Sequence, residues 1–167
     1  IPVAKICYVQ HGAPDIDTPV ENPFKTDPLF KNRRVLLTFG LISRNKGLET
    51  VIKALPNIVK KHPDILYVIL GTTHPDILKS SGEEYREYLI QLAKELKVND
   101  HLVFINRYVT EEELINYLSS ADIYVSPYLN EAQITSGTLA YAIGAGAAVV
   151  ATPYWHATEI LSDGRGR

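Results

Sequence analysis

The sequence predicts an α/β fold built on a doubly wound, mostly parallel sheet, and three observations carry that prediction. The strand-like runs are nearly continuous in apolar residues, as in Val35-Leu36-Leu37-Thr38-Phe39 and in Ile65–Leu70, the pattern of strands covered on both faces. These runs alternate with stretches whose apolar residues recur at helical spacing. Residues 123–152 compress one whole unit of such a fold. Strand IYV leads into a polar loop, Thr135-Ser136-Gly137-Thr138 opens a helix, Gly144-Ala145-Gly146 stops it, and AAVVAT is the next strand.

Taken in order, residues 1–32 read as a linker segment and covering loop, and residues 33–167 as one domain, truncated at its C-terminal end. VAKICYVQ (3–10) is strand-like, and the four prolines of residues 13–32 break any periodicity. Gly40 closes the first strand of the domain. A helix is expected over about 47–62, with Leu48, Val51, Ile52, Leu55, Ile58 and Val59 on one face and a kink at Pro56. After the second strand a long helix carries Tyr85, Tyr88, Leu89, Leu92, Ala93 and Leu96. His101 to Ile105 reads as the third strand. Thr110 and Glu113 form a capping box for the helix that buries Leu114, Ile115 and Leu118. Asp122 to Val125 is the fourth strand, and a last helix follows Tyr154-Trp155-His156.

Composition excludes several function classes. Seventeen Lys and Arg against nineteen Asp and Glu give a net charge of −2, which offers neither a nucleic-acid footprint nor a polybasic membrane face. A single cysteine, Cys7, rules out a disulfide framework or a cysteine-rich metal site and points to a reducing, cytoplasmic setting. The apolar run over 139–155 is punctuated by glycines and a proline, so it reads as core, not as a membrane span. The absence of Met, the opening Ile1-Pro2 and the closing Asp163-Gly164-Arg165-Gly166-Arg167 read as a piece of a longer polypeptide.

Motifs narrow the chemistry further. Gly144-Ala145-Gly146 precedes a strand instead of following one and lacks the third glycine of a dinucleotide fingerprint. Walker A, H-E-x-x-H and G-x-S-x-G patterns are absent. Asp15-Ile16-Asp17 matches a metal-holding D-x-D, but its Pro-rich surroundings favour a solvated turn. His62 reads as a surface residue at a helix end, and His156 either as a residue lining the crevice or, the favoured reading, as a packed loop histidine.

In doubly wound sheets ligands bind beyond the carboxyl ends of the strands, at the topological switch point. With strand order 3-2-1-4-5, loops 40–47 and 126–137 would face each other over one crevice, placing Arg44, Lys46 and Glu131 together. Lys46 then reads either as one side of a grip on a diphosphate, opposite the helix N-terminus at Ser136, or as a solvated first-turn residue. Arg44 carries the same two readings.

The turn Phe39-Gly40…Lys46-Gly47 and the segments ADIYVSPYLNE, SGTLAYAIGAG, VVATPYWHATEIL and DGRG recur in one family in this order, and Gln10-His11-Gly12 matches the end of its interdomain connection. On these pieces the chain resembles the C-terminal, donor-binding, Rossmann-like domain of GT-B glycosyltransferases of family 4, the glycosyl transferases group 1. The resemblance implies transfer of a hexose from a nucleotide-diphospho-sugar with retention of configuration. The donor, a GDP- or UDP-sugar, is a substrate, so neither a cofactor nor a catalytic metal is implied. Lys46 matches the diphosphate-contacting lysine, and Glu131 the first acid of the E-x7-E motif, which contacts the transferred sugar. Gly40, Arg44, Thr135, Ser136, Gly137 and Thr138 fall on the diphosphate side, with backbone N–H groups of 133–138 as the cradle. Arg107, Tyr108 and Val109 correspond to the wall beside the base. The implied partners are the donor and an N-terminal acceptor domain of the same polypeptide, with peripheral membrane association of the full-length enzyme and no nucleic acid.

Three positions depart from the family pattern. Leu139 stands where the second acid of E-x7-E is expected, Leu41 where an arginine usually follows the strand's glycine, and Glu131-Ala132-Gln133-Ile134 replaces a glycine-rich loop. Sequences like S-G-T-L-A-Y-A occur in a mannosyltransferase-like branch, which points to GDP-mannose as donor. The alternatives are a non-catalytic nucleotide- or sugar-binding module and a GT-B glycoside phosphorylase.

Overall fold

A computed structural model describes residues 7, 9, 11–14, 16, 22–24 and 28–166. Of the run expected as a strand over 3–10, only Cys7 and Val9 fall among these residues; Asp15 and Asp17 lie outside them. Five strands, β1 (Arg34–Phe39), β2 (Ile65–Leu70), β3 (Leu102–Ile105), β4 (Ile123–Ser126) and β5 (Val149–Ala151), form one sheet in the order β3-β2-β1-β4-β5. Every neighbouring pair is parallel. The expected order therefore holds, and the switch point lies between β1 and β4.

Parallel strands require crossovers, and helices α1 (Leu48–Lys61), α2 (Pro75–Ser81), α3 (Glu84–Glu95), α4 (Glu111–Ser120), α5 (Gly137–Gly144) and α6 (Trp155–Ile160) supply or follow them. Alternation along the strands sends side chains into two cores. Leu36, Tyr67 and Ile69 pack with Ile52 and Leu55 of α1 and Leu89 of α3 on one face. Leu37, Leu66 and Val68 pack with Leu118 of α4, and Leu139 and Ala142 of α5, on the other. β2 is buried along its whole length, as its unbroken ILYVIL demands. Truncating a fully buried side chain such as Ile52 to Ala costs about 2–5 kcal/mol.

The helix expected over 47–62 is α1, which runs through Pro56 without interruption. The segment expected as one long helix is two, because Gly82 at φ 59 ends α2 before α3 begins. His101 lies in a 3₁₀ turn before β3 instead of in the strand. The Thr110–Glu113 capping box forms on α4 as its spacing requires. Phe24 and Phe30 from the covering loop reach the core beside Tyr117, with ring centroids 4.9 Å apart from each other and 5.3 Å from Phe24 to Tyr117. No helix among the described residues is long and apolar enough to cross a membrane.

Candidate functional site

The carboxyl ends of β1 and β4 are locked together before either loop begins. Thr38 donates its hydroxyl to the Val125 carbonyl at 2.6 Å and accepts from the Tyr67 phenol at 3.0 Å, all in the interior. At the top of β1 the chain turns at Gly40, whose φ of 120° disfavours any side chain. A Cβ there would also stand 3.2 Å from the Thr138 methyl and 3.5 Å from Lys46 Nζ. Gly40 thus lets the chain turn where the two loops converge.

A 3₁₀ turn, Arg44–Lys46, follows and ends at Gly47 with φ 63°. Here the backbone presses against Pro127: a Cβ on Gly47 would approach the Pro127 carbonyl oxygen to 2.2 Å. Leu129 N–H donates to the Asn45 carbonyl at 3.1 Å, so loops 40–47 and 126–137 touch directly across the switch point. The Lys46 ammonium donates to the Tyr128 hydroxyl and lies 4.2 Å from the centre of its ring. That hydroxyl pairs with Thr138 Oγ1 at 2.7 Å, and Thr138 Oγ1 with Ser136 Oγ at 3.1 Å. Ser136 caps α5 by accepting from the Leu139 N–H at 3.2 Å.

A run of hydroxyls therefore joins the lysine to the N-terminus of α5. Tyr128 is 8% exposed and stacks on Tyr154 at 5.0 Å, while its carbonyl accepts from Thr152 at 2.6 Å. Burial pushes the Tyr128 phenol up, but the attraction of Lys46 and the hydrogen bonds it receives outweigh that, leaving it below the ordinary tyrosine range. Burial alone dominates at Tyr154, which is raised.

The loop ahead of α5 is held from the other side by α6. Trp155 N–H donates to the Glu131 carbonyl at 2.9 Å and His156 N–H to the Gln133 carbonyl at 3.1 Å. His156 Nδ1 accepts the Ser136 N–H at 3.0 Å, which requires an imidazole unprotonated at that nitrogen. Burial lowers the His156 pKa, Glu159 opposes and the nearby His11 adds to the fall. The His11 ring lies against Gly137. Among the described residues the amides of Gly137 and Thr138, the first two of α5, have no protein acceptor. They form the open end of a helix dipole beside a lysine, the two parts of an anion site.

Magnitudes rank these parts. A lysine about 4 Å from a phosphate charge has a gross attraction of about 4 kcal/mol at an effective dielectric of about 20. The helix end adds about 0.3–1 kcal/mol.

The structure brings Gly40, Lys46, Ser136, Gly137 and Thr138 together. Glu131 and Thr135 sit exposed on the adjoining loop, the Glu131 carboxylate without a protein partner among the described residues. Arg44 goes elsewhere. Its guanidinium pairs with Glu84 of α3 at 2.9 Å and lies over the rings of Tyr85 and Tyr88 at 5.2 and 5.8 Å. The two cations of one turn thus point to different sides. Arg107, Tyr108 and Val109 join Gly40 and Leu41 around a cleft of about 210 Å³ above β1 and β2. Arg107 is held by Glu113 at 2.9 Å, and this pairing raises the arginine and lowers the carboxyl.

Leu139, the position expected for a second acid, is 0% exposed and belongs to the core. One site residue escaped the sequence reading: Tyr128, which entered it only as part of the segment ADIYVSPYLNE, whereas His156, read as a packed loop histidine with the crevice as the less favoured place, does reach the loop ahead of α5. The available signal for Tyr128 was a polar-loop tyrosine between Pro127 and Glu131, two residues beyond β4. No group of three or more metal-binding side chains occurs among the described residues.

Comparison with known proteins gives one consistent answer. The family model "Glycosyl transferases group 1" matches residues 20–166. A relative from Mycolicibacterium smegmatis, the GDP-mannose-dependent alpha-(1-6)-phosphatidylinositol monomannoside mannosyltransferase, is 28% identical over 129 residues, 71% of this chain and 30% of that protein. The C-terminal domain of the group 1 glycosyl transferase LpcC from Francisella tularensis superposes with a TM-score of 0.63 at 26% identity, covering 82% of this chain and 69% of that one. The Anabaena protein HepE in complex with UDP and glucose has a TM-score of 0.68 at 19% identity, over 81% of this chain and 34% of that one, a likeness of fold. The chain spans about a third of the length of the curated relatives it matches.

Proposed function

The chain belongs to the glycosyl transferases group 1 family, and from that premise we propose that it is the donor-binding half of a retaining glycosyltransferase. In this reading it holds a nucleotide-diphospho-sugar at the switch point and passes the hexose to a saccharide or lipid acceptor. The observation that carries the proposal is the hydrogen-bonded run from Lys46 through Tyr128 to Thr138 at the start of α5, whose first two amides have no protein acceptor among the described residues. Lys46 and the end of α5 bind the diphosphate and stabilise the charge that develops on it as the glycosidic bond breaks. Glu131, on the adjoining loop, faces the transferred sugar, and the cleft beside Arg107–Val109 receives the base.

The donor is GDP-mannose in this account, in line with the name of the mycobacterial relative and with the SGTLAYA segment. The remainder of the polypeptide supplies the acceptor domain and closes the cleft, which proximity and exclusion of water require. The setting is cytoplasmic, with the full-length enzyme working at a membrane surface, and neither cofactor nor metal takes part. Calorimetric titration of the chain with GDP, UDP and ADP tests the reading. The expected result is binding with GDP preferred; a folded protein that binds none of them contradicts it.

One observation favours a second reading, a nucleotide-sugar-binding module without turnover: Leu139 is buried where a ribose-binding carboxylate is expected. Hydrolysis or transfer of a sugar nucleotide by the longer polypeptide would rule that reading out.

A further inference from the structure

We propose that Tyr128 is a positioning residue for Lys46, holding the ammonium against the N-terminus of α5 before any ligand arrives. The inference rests on the reading of Lys46 as the diphosphate-binding cation and names the residue on which its geometry depends. A lysine side chain has many rotamers, and binding must otherwise remove that freedom. Here the freedom is already restricted. The Lys46 ammonium donates to the phenol oxygen and lies 4.2 Å from the ring centre.

The direction of the hydrogen bonds follows from chemistry. An ammonium only donates, so the phenol oxygen accepts from it and turns its own proton to Thr138 Oγ1 at 2.7 Å. Thr138 can then donate to Ser136 Oγ at 3.1 Å, which also accepts the Leu139 N–H. One phenol thus connects the β1–α1 turn to the cap of α5, and each donor points away from the charge. The remaining N–H bonds of the ammonium stay available to a ligand oxygen.

Tyr128 is itself held on several sides. Its ring stacks on Tyr154, whose hydroxyl bonds Ser126 at 2.8 Å, and its carbonyl accepts from Thr152. The next residue, Leu129, donates to the Asn45 carbonyl in the lysine's own turn. The bridge is therefore anchored on the side of Tyr128 by several contacts independent of Lys46.

Tyr128→Phe isolates the hydroxyl, since phenylalanine keeps the stack on Tyr154. The test is a double-mutant cycle read by titration with GDP and UDP on wild type, Tyr128→Phe, Lys46→Ala and the double variant. Tyr128→Phe should weaken the preferred nucleoside diphosphate by about two- to tenfold, the range expected for losing one preordered side chain. In the Lys46→Ala background the same substitution should change affinity by less than about twofold, because the group it positions is gone. Thr138→Val, which removes the acceptor of the phenol proton, should produce a smaller loss in the same direction.

An equal loss in both backgrounds overturns the proposal, since that is the signature of a general structural role. So does an unchanged affinity in Tyr128→Phe while Lys46→Ala still weakens binding. If Lys46→Ala leaves the affinity unchanged, the donor-site reading fails first and takes the proposal with it.

Discussion

Arg44 and Lys46 lie two residues apart on one 3₁₀ turn and end in environments that differ in kind. Arg44 meets Glu84 with both side chains more than half exposed, over the rings of buried Tyr85 and exposed Tyr88 of α3. Exposed pairs of this sort contribute about 0.2–1 kcal/mol and are screened by salt. Lys46 is enclosed by Tyr128, Thr138 and Gly40, in a run of hydroxyls that leads to two open amides. The first arrangement fastens a loop to a helix. The second joins the lysine to a helix end whose first two amides have no protein acceptor among the described residues, so it keeps donors for a ligand. The lesson is that charge alone does not mark a site; the state of its neighbours does.

The comparison can be broken most decisively at Lys46. Lys46→Ala should weaken nucleoside diphosphate binding by about 1–3 kcal/mol, the cost of a charge-assisted contact, read by calorimetry. The fold should hold, because Lys46 lies outside the two cores.

His156 should give an intermediate, pH-dependent effect. Its lowered pKa means that the folded state favours the neutral imidazole, which is the form that accepts the Ser136 N–H. That contribution is fully present above the ordinary histidine value of about 6.5 and is lost as the pH falls below it, through the lowered value of the folded state. Hydrogen exchange, corrected for its intrinsic pH dependence, should show protection of the Ser136 amide holding above about pH 6.5 and falling as the pH drops below it. His156→Ala should lack that protection throughout. Constant protection in the wild type across this range would count against the assignment.

Arg44→Ala should have the smallest effect. Nucleotide affinity should change less than about twofold, with a stability loss of at most about 1 kcal/mol by denaturant titration, reduced by added salt. A loss of affinity matching that of Lys46→Ala would erase the distinction between the two cations.

The fold was legible because its signals are local. VLLTF is apolar but for Thr38 and ILYVIL has no charged residue, as parallel strands covered on both faces require, and Thr110 with Glu113 spells out a helix start. The break at Gly82 was harder, since Ser80-Ser81-Gly82 interrupts a stretch whose later part is strongly periodic. At the site, loops 40–47 and 126–137 could be paired from topology alone, and the structure brings Lys46 and Ser136 into one hydrogen-bonded run.

The direction of Arg44 could not be read, because its partner lies 40 residues away on α3 and nothing near Arg44 encodes it. The same limit applies to the Lys46–Tyr128 contact, with 82 residues between its ends, and to the Asp122 carboxylate that accepts the Val35 N–H at 2.7 Å across 87. Such contacts are set by tertiary packing. A spacing rule along the chain does not reach them.

The central claim is that the open end of α5, with Lys46, receives the diphosphate. Amide chemical-shift mapping tests it directly, by following ¹⁵N–¹H signals of the chain during titration with GDP or UDP. The account predicts the largest shifts at Gly137 and Thr138, with Ser136 and Lys46 close behind and little change at Arg44 or Glu84. Saturable binding that leaves Gly137 and Thr138 unmoved, or that centres on the Arg44–Glu84 surface, would contradict it.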